Sequence, residues 1–366
     1  MSEQQFIPKS YFNKIKHGSV TWSSPSNIAL VKYWGKKDHQ IPENPSISFT
    51  LDHCKTTTTL GYSKKDNSDS FSFDVFLDGK QKDDFKPKIE TFFKRIERYV
   101  PFLRDYHFKI ETSNTFPHSS GIASSASGMS ALALCLMSIE NELNDFQNES
   151  EESQDNFNKK ASFLARLGSG SACRSIEGDL IVWGTHKDIE GSSDLFGVKY
   201  PYTVHQNFKN YQDTILLVDK GEKQVSSTVG HNLMHNHPFA IRRFEQAHEN
   251  MSKLINIFKI GDVDTFIKIV ESEALTLHAM MMTSMPYFIL MKPNTLEIIN
   301  KIWAYRTRTN SKVCFTLDAG ANVHVLYPES EKDSVLEFIR TELVNYCQNG
   351  HFICDQIGFG AQLISD

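Results

Sequence analysis

A segment rich in small residues, TFPHSSGIASSASG at positions 115–128, leads directly into a strongly apolar run. In that run Met129, Leu132 and Leu136 recur at three- and four-residue spacing, which predicts a buried helical face. The small residues therefore stand at a helix N-terminus, where backbone N–H groups lack partners and the helix dipole favours negative charge. This arrangement suits a phosphate group. Small residues there also permit close helix packing, and the segment alone does not separate the two interpretations.

A second cluster of polar side chains follows a predicted strand in SPSNIALVKYWGKKD, at positions 24–38. It supplies an amide, a phenol, three ammonium groups and a carboxylate, on Asn27, Lys32, Tyr33, Lys36, Lys37 and Asp38. Closely spaced cations with a hydroxyl and an amide can neutralise and orient a polyphosphate or a carboxylate. The alternative interpretation is a solvated strand end whose Tyr and Trp are partly buried.

Two further segments place charged side chains beside turns. LGSGSACRSIEGDLIVWG carries Ser169, Ser171 and Arg174 on a Gly-Ser loop that leads into a short helix. Arg174 suits bidentate binding of a carboxylate or phosphate, although a surface cation would look the same. FTLDAGANVHVLY places Asp318 at the end of a strand, before Gly320. A lone Asp in that position usually caps a helix or forms the turn itself.

The elements that must position these residues are strands and helices without strict βαβ alternation. The first third is rich in strand-like segments, interrupted by a helix predicted over residues 87–100. In the second half a strand is predicted around Ile215, followed by amphipathic helices near 241–258 and 262–282. Runs of strands beside helices favour an α+β fold over a doubly wound sheet.

The end of the chain and one internal segment complete this assignment. KVCFTLDAGANVHVLYP is predicted as a strand, SVLEFIRTELVNYC as a helix, and HFICDQIG as the closing segment. The acidic segment NDFQNESEESQDNFNKK is predicted to be a solvated loop or insertion, because it has almost no aliphatic residues. A boundary expected between Gly197 and Asp213 divides the chain into residues 1–208 and 209–366.

Composition excludes several classes of function. The chain has 366 residues and a net charge of −5, which gives no reason to expect a nucleic-acid partner. No apolar run is long enough to cross a membrane, and the first residues lack the apolar core of a signal peptide. Six scattered cysteines without a C-x-x-C pair predict reduced, buried thiols in the cytoplasm, and structural zinc is not expected. Neither G-x-x-x-x-G-K-[ST] nor a strand-linked G-x-G-x-x-G occurs.

The four segments together resemble the diphosphomevalonate decarboxylases, a family within the superfamily of galactokinase, homoserine kinase and mevalonate kinase. NIALVKYWGKKD resembles the family's N-I-A-x-x-K-Y-W-G-K-R-D, and FPHSSGIASSASG resembles its ATP-phosphate loop. GSGSACRSIEGDLIVW is similar to the loop that carries its substrate arginine, and DAGAN resembles the D-A-G-P-N of its catalytic aspartate. VSST at 225–228 and the closing GFGAQLI extend the resemblance over nearly the whole chain.

The resemblance implies a two-lobed α+β fold, with a ribosomal protein S5 domain 2-like N-terminal lobe and a ferredoxin-like C-terminal lobe. It implies an active site in the cleft between them. The implied reaction is the ATP-dependent, Mg²⁺-dependent decarboxylation of diphosphomevalonate to isopentenyl diphosphate, with release of ADP, phosphate and CO2. A homodimer is implied as well, and no nucleic-acid or membrane partner.

The resemblance also implies roles for individual residues. Asp318 matches the catalytic aspartate, Lys32 the lysine beside it, and Arg174 with Asn27 the positions that bind the substrate carboxylate. Positions that hold the substrate's diphosphate are matched by Tyr33, Lys36 and Ser171. The ATP-phosphate loop is matched by Ser119, Gly121, Ser124 and Ser125, of which Ser125 is implied to contact Mg²⁺.

Two departures from the family pattern leave alternatives open. Ala321 replaces the proline of D-A-G-P-N and is expected to loosen the turn that holds Asp318. His231, His235 and His237 stand where the family has a different segment, and they are expected to lie near the substrate phosphates rather than to bind a metal. The alternatives are a decarboxylase of the monophosphate, a kinase that stops at phosphorylation, and an inactive nucleotide-binding regulator.

Overall fold

The computed structural model describes residues 2–67, 69–117, 122–144, 150–221 and 227–365. Two β-sheets organise it. The larger sheet has the order β12-β1-β2-β5-β3-β4, with β6 and β7 added beyond β2. Its strands are β1 (His17–Val31), β2 (Ser46–Lys64), β3 (Ser72–Leu77), β4 (Lys80–Gln81), β5 (Tyr106–Asn114), β6 (Leu180–Trp183), β7 (Val198–Lys199) and β12 (Gln362–Ser365).

The smaller sheet is antiparallel and has the order β11-β8-β10-β9. Its strands are β8 (Gln212–Leu216), β9 (Cys314–Thr316), β10 (Val323–Tyr327) and β11 (Phe352–Gln356). The helices are α1 (Lys86–Ile96), α2 (Ser124–Asn144), α3 (Glu151–Gly168), α4 (Ser227–Asn232), α5 (Ala240–Ile260), α6 (Val263–Met282), α7 (Pro293–Thr309) and α8 (Lys332–Phe338). No helix of the described ranges is both long and apolar enough to cross a membrane.

The apolar stripe predicted after the small-residue segment lies on α2. Met129, Leu132, Leu136 and Ile139 are all buried in one hydrophobic cluster with the large sheet. Helix α2 contacts β1 and β2 directly, so the start of this helix is fixed against the strand that leads to Lys32. The prediction of a buried helix directly after the small residues is confirmed.

The two sheets share a hydrophobic core. Ile28 and Leu30 of β1 are buried in the same cluster as Ile215 of β8 and Val270 of α6. Burial of apolar surface between the lobes stabilises the arrangement by about 25 cal/mol per Å² removed from water. The end of β1 is therefore held against the smaller sheet and its helices, which brings Lys32 close to the turn after β9.

The acidic segment was predicted to be a loop, and this prediction is wrong from Glu151 onwards. Helix α3 begins there because the hydroxyl of Ser150 accepts from the backbone of Ser153, while the Ser153 hydroxyl caps the Ser150 N–H in return. Lys160 is buried and donates to Glu140 of α2 at 2.7 Å, so its charge is paired inside the fold. Residues 145–149 of the segment lie outside the described ranges.

Two other predictions need correction. The segment predicted as one strand, 312–328, forms two antiparallel strands, β9 and β10, joined by the turn that carries Asp318. Helix α7 was not predicted, although Pro293 stands at its first position, where proline is favoured. The C-terminal α-helix is shorter than predicted, because α8 ends at Phe338. Irregular helical turns follow it as far as Tyr346.

Candidate active site

A cavity of about 550 Å³ lies between the two lobes. Both lobes line it, and seven of the eleven residues to which the resemblance assigns a role stand on its wall: Lys32, Tyr33, Lys36, Ser125, Ser171, Arg174 and Asp318. These residues come from four separate segments of the chain. The fold therefore gathers most of the predicted site into one place.

Lys32 and Asp318 form an ion pair at the base of this cavity. Lys32 follows directly after β1, and Asp318 follows β9 by two residues. The distance from Lys32 Nζ to Asp318 Oδ1 is 2.9 Å. The lysine side chain is 2% exposed and the aspartate side chain 29%, so the carboxylate is the more accessible of the two groups. Burial lowers the pKa of Lys32, and the Asp318 carboxylate opposes that shift.

The turn that carries Asp318 is held by several hydrogen bonds. Gly320 N donates to the Asp318 carbonyl at 2.7 Å. Thr295 Oγ1 donates to the carbonyl of Ala321 at 2.7 Å, and Asp219 N donates to Asn322 Oδ1 at 2.9 Å. Ala321 was expected to loosen this turn, and these bonds restrain it without a proline ring.

Arg174 is buried on the 3₁₀ turn Gly170–Ser175 and belongs to a polar network. Its Nε donates to Asn27 Oδ1 at 3.3 Å, and its Nη1 contacts the Ser46 hydroxyl. Asn27 in turn donates to Ser175 Oγ at 2.8 Å. Burial lowers the pKa of Arg174, but a guanidinium remains charged in proteins. The network fixes the Arg174 guanidinium at the cavity wall, and Asn27 lies behind that guanidinium, away from the cavity.

Tyr33 and Lys36 stand on the loop that follows Lys32. The Tyr33 ring packs against Trp183, with ring centroids 4.6 Å apart, and burial raises the pKa of its phenol. Lys36 Nζ donates to Gln40 Oε1 at 3.0 Å, and partial burial lowers the pKa of Lys36. A Cβ at Gly170 would lie 2.8 Å from the Tyr33 hydroxyl, so the Gly-Ser loop needs glycine there for close packing.

The small-residue segment meets the cavity at the first turn of α2. Helix α2 begins at Ser124, and exposed Ser125 places its hydroxyl 3.3 Å from that of Ser169. Both Ser125 and Ser169 line the cavity. Ser119 and Gly121, the other two predicted members, lie outside the described residues.

The three histidines of the divergent segment have different surroundings. His231 lines the cavity, accepts from Gly35 N at 3.0 Å, and packs at a tilt against the rings of Tyr33 and Trp34. Burial lowers its pKa to about 3, so this ring is neutral near pH 7. His237 is buried against the backbone of α6, and His235 is exposed. In the parts of the chain that the structure describes, no group of His, Cys, Asp or Glu side chains has metal-binding geometry.

One set of lining residues was missed in the sequence. Lys88, Thr91 and Arg95 lie on one face of α1 and line the cavity. Their spacing of three and four residues places them on the polar face of an amphipathic helix. Such a face usually meets solvent, but here α1 packs against α3, with Phe92 beside Gly168, and its polar face lines the cavity.

Two family models match the chain. A diphosphomevalonate decarboxylase-like N-terminal domain matches residues 24–195, and a mevalonate 5-diphosphate decarboxylase C-terminal domain matches residues 214–357. A diphosphomevalonate decarboxylase of Rattus norvegicus is 27% identical over 339 residues, which cover 87% of this chain and 78% of the relative. That of Danio rerio is 29% identical over the same shares.

Solved structures give the same relationship. The mevalonate diphosphate decarboxylase of Staphylococcus aureus has a TM-score of 0.79 and 26% identity, covering 95% of this chain and 98% of its own. A structure described as "MDDEF in complex with MVAPP, AMPPCP and Magnesium" has a TM-score of 0.78 and 26% identity, covering 95% of this chain and all of its own. The predicted two-lobed α+β fold is confirmed by this likeness.

Proposed function

Because the chain belongs to the diphosphomevalonate decarboxylase family, we propose that the residues gathered in the interlobe cavity carry out that family's reaction. The protein catalyses the ATP-dependent decarboxylation of diphosphomevalonate to isopentenyl diphosphate, with release of ADP, phosphate and CO2, and it uses Mg²⁺. The observation that supports the residue assignment best is the contact of 2.9 Å between Lys32 Nζ and Asp318 Oδ1 at the base of the cavity.

Asp318 acts as the general base. The substrate's C3 hydroxyl is tertiary and a poor nucleophile, so its proton must pass to a positioned acceptor as the phosphoryl group is transferred. The Asp318 side chain is partly exposed and lines the cavity, while the Lys32 side chain paired with it is buried. The ammonium of Lys32 orients this carboxylate and stabilises its ionised form before the proton arrives.

Arg174 binds the substrate's C1 carboxylate. When the C3 phosphate leaves, positive character develops at C3, and CO2 departs only from an ionised carboxylate. A fixed guanidinium favours the ionised form and can bind both oxygens. Asn27 and Ser46 restrain Arg174 from behind, and Ser175 in turn holds Asn27, so the cation is oriented before the substrate binds.

The charge of the cavity fits two polyphosphates. Five cations stand on its described wall and the only acidic side chain there is Asp318; the cations are Lys32, Lys36, Lys88, Arg95 and Arg174. Tyr33, Lys36 and Ser171 hold the substrate's diphosphate, since all three line the cavity and the Tyr33 hydroxyl packs against Gly170, next to Ser171 on the Gly-Ser loop. Cations gathered in a cleft raise the local concentration of an anionic substrate.

ATP phosphates and Mg²⁺ are held at the first turn of α2. Ser124 and Ser125 present backbone N–H groups at a helix N-terminus, and the Ser125 hydroxyl faces the cavity beside Ser169. An exposed hydroxyl is an oxygen ligand of the kind that Mg²⁺ accepts. The metal, when bound, neutralises charge on the phosphoryl group being transferred. Ser119 and Gly121 are proposed to complete this loop.

Replacing Ser125 with Leu should raise the KM for ATP or lower kcat sharply, without unfolding the protein. The side chain removes the hydroxyl and blocks the approach of a phosphate, whereas an exposed position tolerates the change in packing. Steady-state kinetics with ATP, read as ADP formation, would measure the effect. Ser334→Leu, in the first turn of α8 and away from the cavity, is the matched control. Unchanged ATP kinetics in Ser125→Leu would leave the segment with a packing role only.

Diphosphomevalonate should have a higher kcat/KM than the monophosphate. Tyr33, Lys36 and Ser171 provide more donors than one phosphate needs, and Lys88 and Arg95 add positive charge across the cavity. Both substrates are to be compared under identical ATP and Mg²⁺ concentrations, with ADP, phosphate and CO2 measured together. A higher kcat/KM for the monophosphate would assign that substrate instead.

The same assay tests the proposed function against its alternatives. Equal amounts of ADP, phosphate and CO2 support the decarboxylase. ADP with a stable 3-phosphorylated product and no CO2 would identify a kinase. ATP binding without turnover would identify a regulator.

The division of the chain and its assembly are proposals as well. We assign residues 1–208 to the N-terminal lobe and 209–366 to the C-terminal lobe, and we propose a homodimer, as the resemblance implies. A cytoplasmic location is supported by the cysteines, because all six are free thiols and five of them are buried.

A further inference from the structure

We propose that Glu273 and His278 of helix α6 are positioning residues that together set the contact between Lys32 and Asp318. The inference rests on the proposed function, in which Lys32 and Asp318 act at the phosphorylation step. Its starting point is that α6 binds the backbone of both catalytic residues, which lie on different lobes and 286 positions apart in the chain.

The first attachment is made by Glu273. Lys32 lies just beyond β1, and its backbone N–H donates to Glu273 Oε2 at 2.9 Å. The Lys32 carbonyl accepts from Arg243 Nη2 of α5 at 3.0 Å and from Asn44 Nδ2 at 3.0 Å. Both backbone polar groups of Lys32 are thus bound by side chains, and two of those side chains come from the opposite lobe.

The carboxylate of Glu273 is completely buried and saturated with donors. Arg243 donates to both of its oxygens, at 2.5 and 3.1 Å, and Asn250 donates to Oε1 at 2.7 Å. The side chains of Arg243 and Glu273 are each 0% exposed. A buried ion pair of this kind is weak evidence for stability, because desolvation offsets the attraction between the charges. Its restraint on Lys32 is the more specific effect.

The second attachment is made by His278, five residues further along α6. Its Nε2 lies 3.1 Å from the carbonyl oxygen of Asp318, and a carbonyl only accepts, so Nε2 carries the hydrogen. The ring is buried, which lowers its pKa to about 4 and keeps it a neutral donor near pH 7. This hydrogen bond fixes the start of the turn on which the catalytic carboxylate stands.

One rigid element therefore carries both anchors. Glu273 and His278 are separated by about 7.5 Å along the helix axis at 1.5 Å per residue. A helix does not stretch, so the two anchors keep a constant separation and hold Lys32 and Asp318 where Nζ and Oδ1 lie 2.9 Å apart. Leu277 of the same helix lines the cavity between them.

Two substitutions at His278 test this directly. His278→Phe fills the volume and removes the donor, while His278→Gln keeps an N–H donor on a flexible side chain. A misplacement of about 1 Å can lower a rate about 100-fold, so we expect His278→Phe to lower kcat by roughly 10- to 100-fold. The KM values for ATP and diphosphomevalonate should change less than about threefold, because neither substrate is bound by this ring. His278→Gln should recover most of the lost kcat.

Glu273 is tested by a variant and by a charge-balanced pair. Glu273→Met removes the acceptor for the Lys32 N–H and leaves Arg243 buried and unpaired, so it is expected to lower both stability and kcat. Glu273→Met combined with Arg243→Met removes both charges and still leaves the Lys32 N–H without its acceptor, while Asn44 continues to donate to the Lys32 carbonyl. The double variant should melt closer to the wild type and yet keep the lowered kcat with unchanged KM values.

Thr276→Val is the matched control on the same helix, since its hydroxyl contacts only Gln246 of α5 among the described contacts. Rates are measured as ADP formation, because this product reports the phosphorylation step at Asp318 whether or not CO2 is released afterwards. CO2 release by the wild type tests the proposed function separately. A folded His278→Phe variant with wild-type kcat would overturn the proposal. Equal losses of kcat in His278→Phe and His278→Gln would also overturn it, and so would a loss of kcat that is fully explained by a smaller fraction of folded protein.

Discussion

Asp318→Asn should lower kcat for ADP formation by roughly 10²- to 10⁴-fold, which is the usual cost of losing a general base. The amide has the same shape as the carboxylate and still reaches Lys32, but it cannot take the proton from the C3 hydroxyl. Because CO2 release depends on a phosphate leaving C3, ADP and CO2 should fall by the same factor. Rapid-quench and steady-state measurements of both products, with ATP binding followed separately, would check this.

The matched control is Asp264→Asn, which removes an exposed carboxylate paired with Lys312 on the surface of the C-terminal lobe. It should leave kcat and both KM values unchanged. If Asp318→Asn kept wild-type turnover, the proton would have another acceptor and the assignment of the site would be wrong. If the wild type and Asp318→Asn both bound ATP without turnover, the regulator would be the correct interpretation.

Arg174→Gln should separate the two halves of the reaction. Truncating a buried, hydrogen-bonded charge usually costs at least 2 kcal/mol of binding, so kcat/KM for diphosphomevalonate should fall roughly 30-fold or more. Asp318 and Lys32 are untouched, and phosphorylation should continue on substrate that does bind. With its carboxylate held less firmly, some 3-phosphorylated intermediate should accumulate, and the ratio of ADP to CO2 should rise above one.

Arg174 is buried, so its loss also threatens the fold. Thermal denaturation should accompany the kinetics, and only the folded fraction should be compared. Arg242→Gln, which removes an exposed guanidinium paired with Glu249, is the control for loss of a cation at the surface. A ratio of ADP to CO2 that stays at one in folded Arg174→Gln would show that this arginine does not govern decarboxylation.

The residues found from the sequence share a local signature. Lys32 and Asp318 follow strands directly, and the Gly-Ser loop before Arg174 has a composition that few structural roles require. Close spacing on one segment keeps Lys32, Tyr33 and Lys36 together in any fold. Their contact with Asp318 depends on the tertiary structure, and only the resemblance to a family made it predictable.

The residues missed in the sequence lack such a signature. Glu273 is one carboxylate within an amphipathic helix, and its partner Arg243 lies 30 positions earlier on another helix. The spacing of apolar residues shows which face of α1 is polar, but it does not show whether that face meets bulk water or a cavity. From the sequence alone, Lys88 and Arg95 are therefore expected to be solvent-exposed. The start of α3 was hidden for a similar reason, because the polar cap at Ser150 resembles the composition of a loop.

The position of β12 affects the order in which this protein can be assembled during synthesis. Residues Thr21 to Ser23 of β1 pair with residues 362–365, so the edge of the larger sheet is completed by a segment made more than 300 residues later. Gly358 N donates to the Thr50 carbonyl, and Ala361 N donates to the Ile176 carbonyl, both at 2.8 Å. Contacts between such distant segments slow folding. The two lobes therefore do not complete their folding one after the other during synthesis, because the edge of the strand that presents Lys32 stays unpaired until β12 has emerged from the ribosome.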